Sequence, residues 1–406
     1  MKYANSLKTM NGFDSAAKAA DISQKRAREL CERMGRVHTG TRCICIPKGS
    51  ASYACSLMLE AVIKSAGHRV GRLTSAADFD PRASIYVDGA IPSIDDFNTA
   101  VGELRSASKG EETYLKEEAV FALAMLLFKL CDCDYVILQG LSDHQFSLDA
   151  ICAPYELIVM PTVYDDSERT LARLKAACDS VRRGTREVVS GNQKSEIYNQ
   201  ISNACAMSGV RLYIPVKAQF EVTEITPRRL RFSYGGKEGY CLRSPSIVLQ
   251  NAAMTVIESA HALRRGGVKI PFGSIVEGLE SVSNTGAFDP ISASPVFVTD
   301  FARNRHESEL LLETADAVWG RVERLCLLMG GDADPDDILQ AFADRELVRA
   351  VAVGKSASSD QVRRFENSDE AVAYLLDAED DLPILCLGGV VFAAEVKEAF
   401  MKYMNG

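Results

Sequence analysis

The sequence predicts an α/β protein: a parallel sheet covered by helices, followed by a second, smaller α/β domain. Three observations carry this. Apolar strand-like runs alternate with helical patterns through the first half of the chain, as in parallel sheets built from crossover units. A strand, a loop and a helix stand at 44–66 in the order of a phosphate-binding frame. The pattern restarts after Asn284-Thr285-Gly286, in a stretch rich in Gly, Pro, Asn and Ser. A chain of 406 residues, 47% hydrophobic and 25% charged, is long enough for two or three domains with a real core.

The first strands are short apolar runs: Cys43 to Ile46, Arg69 to Leu73, Tyr135 to Leu138, Glu156 to Met160 and Glu187 to Val189. Between them, apolar residues recur at helical spacing in Ser23 to Arg33, Tyr53 to Ala66, Ile94 to Ala107, Thr113 to Cys131 and Ser167 to Arg183. Leu212 to Val216, Phe220 to Ile225 and Leu230 to Tyr234, with the glycine turn at 235–239, read as antiparallel strands. Helices are expected around Ile247 to Arg264 and Ile275 to Ser281. In the second domain the expected strands are Pro295 to Thr299, Leu347 to Val353 and Pro383 to Leu387. The expected helices there are Glu307 to Leu327, Pro335 to Ala343 and Ser368 to Leu376. The division expected is 1–283 for the first domain, 284–292 for a linker and 293–406 for the second.

A net charge of −9 with a pI near 5.3 leaves no basic stripe, which argues against nucleic acid as a partner. No stretch approaches the roughly 18 apolar residues that span a bilayer, and the first residues lack an apolar leader, so the expectation is a cytoplasmic protein. Twelve scattered cysteines in such a chain are expected to be reduced. Cys43/Cys45 and Cys131/Cys133 are spaced i, i+2, which on a strand turns both thiols to one face. Zinc sites usually use a two-residue spacer and four ligands, so both pairs are expected to be buried and inert.

Inside the phosphate-binding frame stands Pro47-Lys48-Gly49-Ser50-Ala51-Ser52-Tyr53-Ala54-Cys55. A working loop needs glycines for close backbone approach, a lysine for the β/γ-phosphates and a Ser/Thr for magnesium. Taken with Ile44 to Ile46 before it and Gly67-His68-Arg69-Val70-Gly71 after the helix, the frame is in place and the loop residues depart from it.

Laid out in order, the blocks of this chain resemble the folylpolyglutamate synthase branch of the Mur ligase family. Met34-Gly35 stands for the family's Leu-Gly, and an ungapped count sets Lys48 to Cys55 on its loop G-T-N-G-K-G-S-T. Ala66-Gly67-His68-Arg69-Val70-Gly71 with Thr74-Ser75 matches A-G-Y-R-V-G and T-S-P-H-L, and 87–97 resembles a further block ending in Phe97. Thr113-Tyr114 opens a helix similar to T-F-F-E, with Lys116 at the glutamate. Asp134 to Gln139 resembles the strand that ends in a metal-binding glutamate. Tyr164-Asp165-Asp166 stands for L-D-H, and Ala172 to Ala176 for A-x-E-K-A. The linker W-P-G-R-x-E is met by 284–289, D-G-A-H-N-P by Asp300 to Arg305, and the closing strand and helix by 383–396. The resemblance implies a Mur ligase-like fold: a P-loop-type parallel-sheet domain followed by a smaller Rossmann-like α/β C-terminal domain.

Members of the family use ATP to activate a carboxylate as an acyl phosphate, which the amine of glutamate attacks to form an amide. The resemblance puts Ser52 at the loop lysine, Gln139 at a magnesium ligand, Asp166 at the second metal position, Ala287 at a phosphate-contacting arginine and Arg303 at the lost histidine. Lys175 falls on the lysine that working members carbamylate, while Asp300 and Asn304 keep the hallmark of the second domain. A shift of four residues would let Lys48, Gly49 and Ser50 imitate the loop, lengthening the next helix by a turn and setting Pro47, which has no N–H, where a glycine amide should face phosphate.

Two readings follow. The first is a synthase-like protein without ligase activity or expected cofactor, acting as a binding or partner subunit beside an active homologue or another protein. The second is an active amide ligase using ATP and magnesium through Lys48, Asp166, Lys175 and Asp300. Arg303 and Arg305 would suit an anionic small molecule in the inter-domain cleft. His144 and His306 stay unassigned, and Trp319 is expected in the core.

Overall fold

A computed structural model describes residues 2–16, 23–49, 51–75, 80–108, 114–141, 148–164, 167–182, 184–283, 285–378 and 381–405. The chain forms two compact units, Met1–Lys217 with Ala252–Ser281, and Ala218–Asn251 with Val282–Gly406. The α/β class is borne out, with a parallel-type sheet in each unit. The division differs from a single break at 284–292 in giving 218–251 to the second unit. The expected linker is also partly strand, because β-structure begins at Asp289.

The first unit runs α1 (Tyr3–Ala16), α2 (Gln24–Arg33), β1 (Arg42–Ile46), α3 (Ser52–Ser65), β2 (Val70–Leu73), β3 (Ile85–Val87), α4 (Ile94–Ala107), α5 (Lys116–Leu130), β4 (Tyr135–Gln139), β5 (Leu157–Met160), α6 (Glu168–Asp179), β6 (Glu187–Ser190), α7 (Ser195–Ser208) and β7 (Arg211–Tyr213). The strand order is β3-β2-β4-β1-β5-β6-β7, parallel except for β3. Its strands β4 and β5 are buried along their whole length and, apart from Gln139 at the end of β4, apolar, because helices cover both faces. One face packs on α5, whose residues from Glu118 to Phe128 are all buried. Gly71 is needed there: a Cβ on it would stand 2.4 Å from the Phe128 ring. The segment 212–216 was expected among antiparallel strands. Instead β7 pairs parallel with β6, because the intervening α7 returns the chain to the same end of the sheet.

The second unit contains β8 (Phe220–Thr226), β9 (Arg229–Tyr234) and β10 (Lys237–Leu242), an antiparallel sheet. Helix α8 (Ile247–Arg265) follows and from Ala252 onward belongs to the first unit, as does α9 (Phe272–Ser281). The chain continues through β11 (Asp289–Ala293), β12 (Val296–Asp300), α10 (Arg305–Trp319), β13 (Arg324–Met329), α11 (Pro335–Ala341), β14 (Glu346–Val353), β15 (Val362–Phe365), α12 (Ser368–Leu376), β16 (Ile384–Leu387) and α13 (Gly389–Asn405). The order β11-β12-β16-β13-β14-β15 is parallel apart from β11. Alternation along β13 sorts the two cores: Leu325, Leu327 and Met329 meet α10 and α11, while Cys326 and Leu328 meet α12 and α13. A single helix was expected over Glu307 to Leu327. The chain instead leaves α10 at Gly320, whose φ of +79° suits glycine, and 324–329 form the buried strand β13.

Candidate functional site

Strands β1 and β4 are neighbours in the first sheet, with Ile46 opposite Gln139, so the loop after β1 opens beside the end of β4 at the carboxyl edge. The Gly140 N–H donates to the Ile46 carbonyl at 2.9 Å, and its φ of +68° lets the chain turn there. A Cβ on Gly140 would lie 3.6 Å from the side-chain stem of Lys48, so Lys48 rests against this turn. Gln139 itself is buried at 7% exposure and presents a neutral amide.

Helix α3 starts at Ser52 with Ala51 as its N-cap, and no side chain caps it. The Ser52 N–H donates to Gly49 O at 3.1 Å, and its hydroxyl donates to Pro47 O at 2.5 Å. Ser52 is fully buried. The helix is therefore not extended by the extra turn that a four-residue shift requires; Lys48 and Gly49 stay in the loop. Ser50 lies outside the described residues, as do Asp165, Asp166, His144 and Asn284.

Farther along the same edge, Gln193 ties strand ends together. Its Oε1 accepts from the Val163 N–H at 3.0 Å, and its Nε2 donates to Pro161 O at 2.9 Å and to Ser190 Oγ at 3.2 Å. Lys175 is exposed on α6.

Behind the loop, α3 and β2 share an ion pair that sequence reading missed. Arg72 Nε donates to Glu60 Oε2 at 2.5 Å, with the two side chains 1% and 4% exposed. The other Glu60 oxygen accepts from the Gly89 N–H at 2.8 Å, and the guanidinium carbon of Arg72 sits 4.2 Å from the centre of the Tyr86 ring. An arginine inside an otherwise apolar strand was the available signal.

In the second unit, Asp300 ends β12 and is 5% exposed. Its Oδ2 accepts from the Phe288 N–H at 2.7 Å and its Oδ1 from the Ala302 N–H at 2.8 Å. Burial pushes its carboxyl up to about 7; the backbone N–H bonds pull it down and the Glu307 charge adds to the rise. Asn304 is the N-cap of α10, its Oδ1 accepting from the Glu307 N–H at 2.9 Å, and Glu307 Oε2 accepts in return from the Arg303 N–H at 2.9 Å. Arg305 donates to Glu309 at 2.7 Å, and His306 sits 3.3 Å from the same carboxylate. The Arg305 hydrogen bond, with the His306 contact assisting, holds the Glu309 carboxyl below its usual range. Ala287 is buried, its carbonyl accepting from the Ser244 hydroxyl at 2.8 Å. Trp319 is half-buried, its ring 5.3 Å from Phe288, and packs on the core as expected.

None of the twelve cysteines is in a disulfide, and Cys43 and Cys45 are buried as expected. Cys131 and Cys133 are half-buried and lie in the turn between α5 and β4 rather than on a strand, which corrects the expectation for that pair. Burial still pushes the Cys133 thiol up to about 12. No group of three or more His, Cys, Asp or Glu side chains able to hold a metal occurs among the described residues. No helix among them is long and apolar enough to cross a membrane.

No protein-family model matches this sequence, and no curated protein matches it. Solved structures do. The folylpolyglutamate synthase of Thermotoga maritima superposes with a TM-score of 0.77 at 18% identity, over 99% of this chain and 97% of that one. The Mycobacterium tuberculosis folylpolyglutamate synthase complexed with ADP and AMPPCP gives 0.80 at 17% identity, over 98% and 99%. The Lactobacillus casei enzyme gives 0.78 at 18%, over 99% and 100%. At such identities the shared property is the fold, and over its whole length this chain has the two-domain fold of the folylpolyglutamate synthases.

Proposed function

We propose that this chain is a folylpolyglutamate synthase-like protein without ATP-dependent ligase activity, working as a binding or partner subunit. The observation that carries the reading is the start of α3. Transfer of a γ-phosphoryl group needs positive charge and free amides aimed at the phosphate oxygens. The first residue of α3 is instead a buried serine whose hydroxyl and N–H are both spent within the loop, on Pro47 and Gly49. Pro47 has no N–H to offer.

The rest of the donor set supports the same reading. Magnesium favours carboxylate and water oxygens, and Gln139 supplies a neutral amide at the strand end. The described residues at the ends of β1 and β4 therefore do not fit a magnesium nucleotide. Asp300 and Asn304 are engaged with backbone N–H groups, and Arg305 with Glu309. On this reading the protein is cytoplasmic, and an active homologue or another protein is its partner.

One observation favours a second reading. Lys48 lies against Gly140 at the carboxyl edge, beside the mouth of the loop. A rearranged loop using that lysine would make the chain an active ATP-dependent ligase adding glutamate to a folate-like carboxylate. The solved neighbours include a folylpolyglutamate synthase complex with AMPPCP and folate, the ligand classes to test first.

The deciding experiment is calorimetric titration of the purified protein with ATP and magnesium, at concentrations that detect a Kd of roughly 100 μM, about 5.5 kcal/mol of binding energy. No heat is expected. Saturable, magnesium-dependent binding that disappears in Lys48→Ala would replace the first reading with the second.

A further inference from the structure

The amino edge of the first sheet, where every strand except β3 begins, carries a charge order that the proposed function does not use. The order β3-β2-β4-β1-β5-β6-β7 puts β2 and β7 five steps apart, roughly 24 Å at about 4.8 Å per step. At one end of this edge Asp88 follows β3, Asp95 and Asp96 lie in the first turn of α4, and Asp132 and Asp134 precede β4. They gather around Cys131: burial first, then the charges of Asp96, Asp88 and Asp132 against that of Arg69, raise its thiol. Ile91, Ile94 and Leu130 stand beside these aspartates, 47%, 45% and 53% exposed.

Arginines gather at the other end. Arg182 and Arg186 lie before β6, Arg211 opens β7, and Arg264 and Arg265 close α8. Buried carboxylates fix three of them. Glu187 pairs with Arg211 at 2.7 Å and with Arg265 at 3.0 Å, and Glu156 pairs with Arg186 at 3.1 Å. Arg186 also donates to Gly266 O at 2.9 Å, and the guanidinium carbon of Arg265 lies 3.7 Å from the centre of the Tyr213 ring. Guanidinium groups held this way lose little freedom when a partner docks on them. Positive charge stays in excess here, because Arg182 and Arg264 are exposed beyond the two carboxylates and Asp179 is the further acid at this end. At the first end the aspartates outnumber Lys64, Arg69 and Lys129. Arg69 reaches Asp88 at 3.6 Å, while Lys64 and Lys129 donate to the carbonyls of Asp88 and Gly35.

We infer that this edge docks a second copy of the chain about a twofold axis, the aspartate end of each copy lying on the arginine end of the other. A twofold interface needs a surface complementary to itself, and charge that changes sign along one edge meets that need. Of the two ways to set such an edge face to face on itself, only the one that reverses its direction brings opposite charges together. In that arrangement the exposed Ile91, Ile94 and Leu130 meet the arginine stems and the Tyr213 ring, which supply the apolar part of the contact.

The inference is independent of whether the chain is a ligase, because the candidate site stands at the carboxyl edge of the same sheet.

The test is sedimentation of the full chain at about 0.15 M salt, where long-range repulsion between copies is screened. A species of twice 44.3 kDa is expected, with a Kd of about 10 μM. Two double variants at exposed positions follow: Arg182→Glu with Arg264→Glu, and Asp95→Lys with Asp132→Asn, the asparagine suiting the φ of +51° at 132. Each is expected to weaken self-association by about tenfold or more, with circular dichroism checking that the fold is kept. Mixing the two is decisive. One contact of the mixed pair is native and the other has both signs reversed, so a heterodimer is expected within about threefold of the original Kd. Amide exchange of the unaltered chain at rising concentration is expected to slow at 88–96 and 264–269, which keeps the proposal testable if a variant does not fold. A monomer at about 100 μM, a dimer indifferent to both double variants, no heterodimer on mixing, or slowing confined to other segments would each overturn it.

Discussion

The β1–α3 turn of the first unit and the β12–α10 turn of the second are both strand-to-helix turns at carboxyl edges, where α/β folds place ligands. They are finished differently. At β12–α10 every step has a side-chain partner: Asp300 on Phe288 and Ala302, Asn304 on Glu307, and Glu307 back on Arg303. At β1–α3 the helix starts after an alanine with no side-chain cap, and the Ser52 hydroxyl turns back into the loop. Asp300 and Asn304, which the sequence resemblance set on a family motif, are both employed in holding the β12–α10 turn. At the start of α3 the Ser52 hydroxyl and N–H are instead held by the backbone carbonyls of Pro47 and Gly49.

That comparison can be sharpened at the back of α3, where an internal ion pair stands in for a cap. Glu60→Leu leaves Arg72 charged and unpaired at 1% exposure, and a loss of about 3–5 kcal/mol is expected in denaturant unfolding. A loss below about 1 kcal/mol would mean that the pair does not hold α3 to β2. At the second turn, Asn304→Ala removes the cap of α10 and is expected to cost about 1 kcal/mol by the same measurement. The smallest effect is expected at the first turn. Lys48→Ala should stay within about 0.5 kcal/mol of the unaltered protein. A larger drop would make the lysine stem on Gly140 a structural support and bring the two turns closer in kind.

Much of the fold was legible because its strands are apolar and its helices capped. Ile94–Ala107 was read to the residue, with Ser93 accepting from the Asp96 N–H before it and Asp95 and Asp96 in its first turn. Helices α1 and α7 and strands β3, β10, β11 and β15 were not anticipated. Tyr3–Ala16 mixes polar and apolar residues without a clear stripe, and Ile85–Val87 is three residues long. Strand β13 was hidden because a strand buried on both faces has no alternation to separate it from a helix, and only Gly320 marked the break.

At the candidate site, single positions were legible and partnerships were not. Ser52, Gln139, Asp300 and Asn304 could be placed by counting along family blocks. That Ser52 bonds to Pro47 and Asp300 to Phe288 depends on turns whose shape no residue type dictates. The Glu60–Arg72 pair joins two elements: the arginine in β2 was a signal, but its partner on α3 could not be named from the sequence.

Helix α9 belongs to the first unit although the antiparallel sheet of the second precedes it in the chain. It docks on α3 so closely that a Cβ on Gly278 would come within 2.5 Å of the Val62 backbone. During synthesis, therefore, the first unit cannot be completed when its seven-stranded sheet has left the ribosome. It must wait for 218–251 to emerge and for α9 to follow. A nascent chain halted before 272 would carry an uncovered face of α3, and chaperone demand should peak there rather than at the end of either sheet.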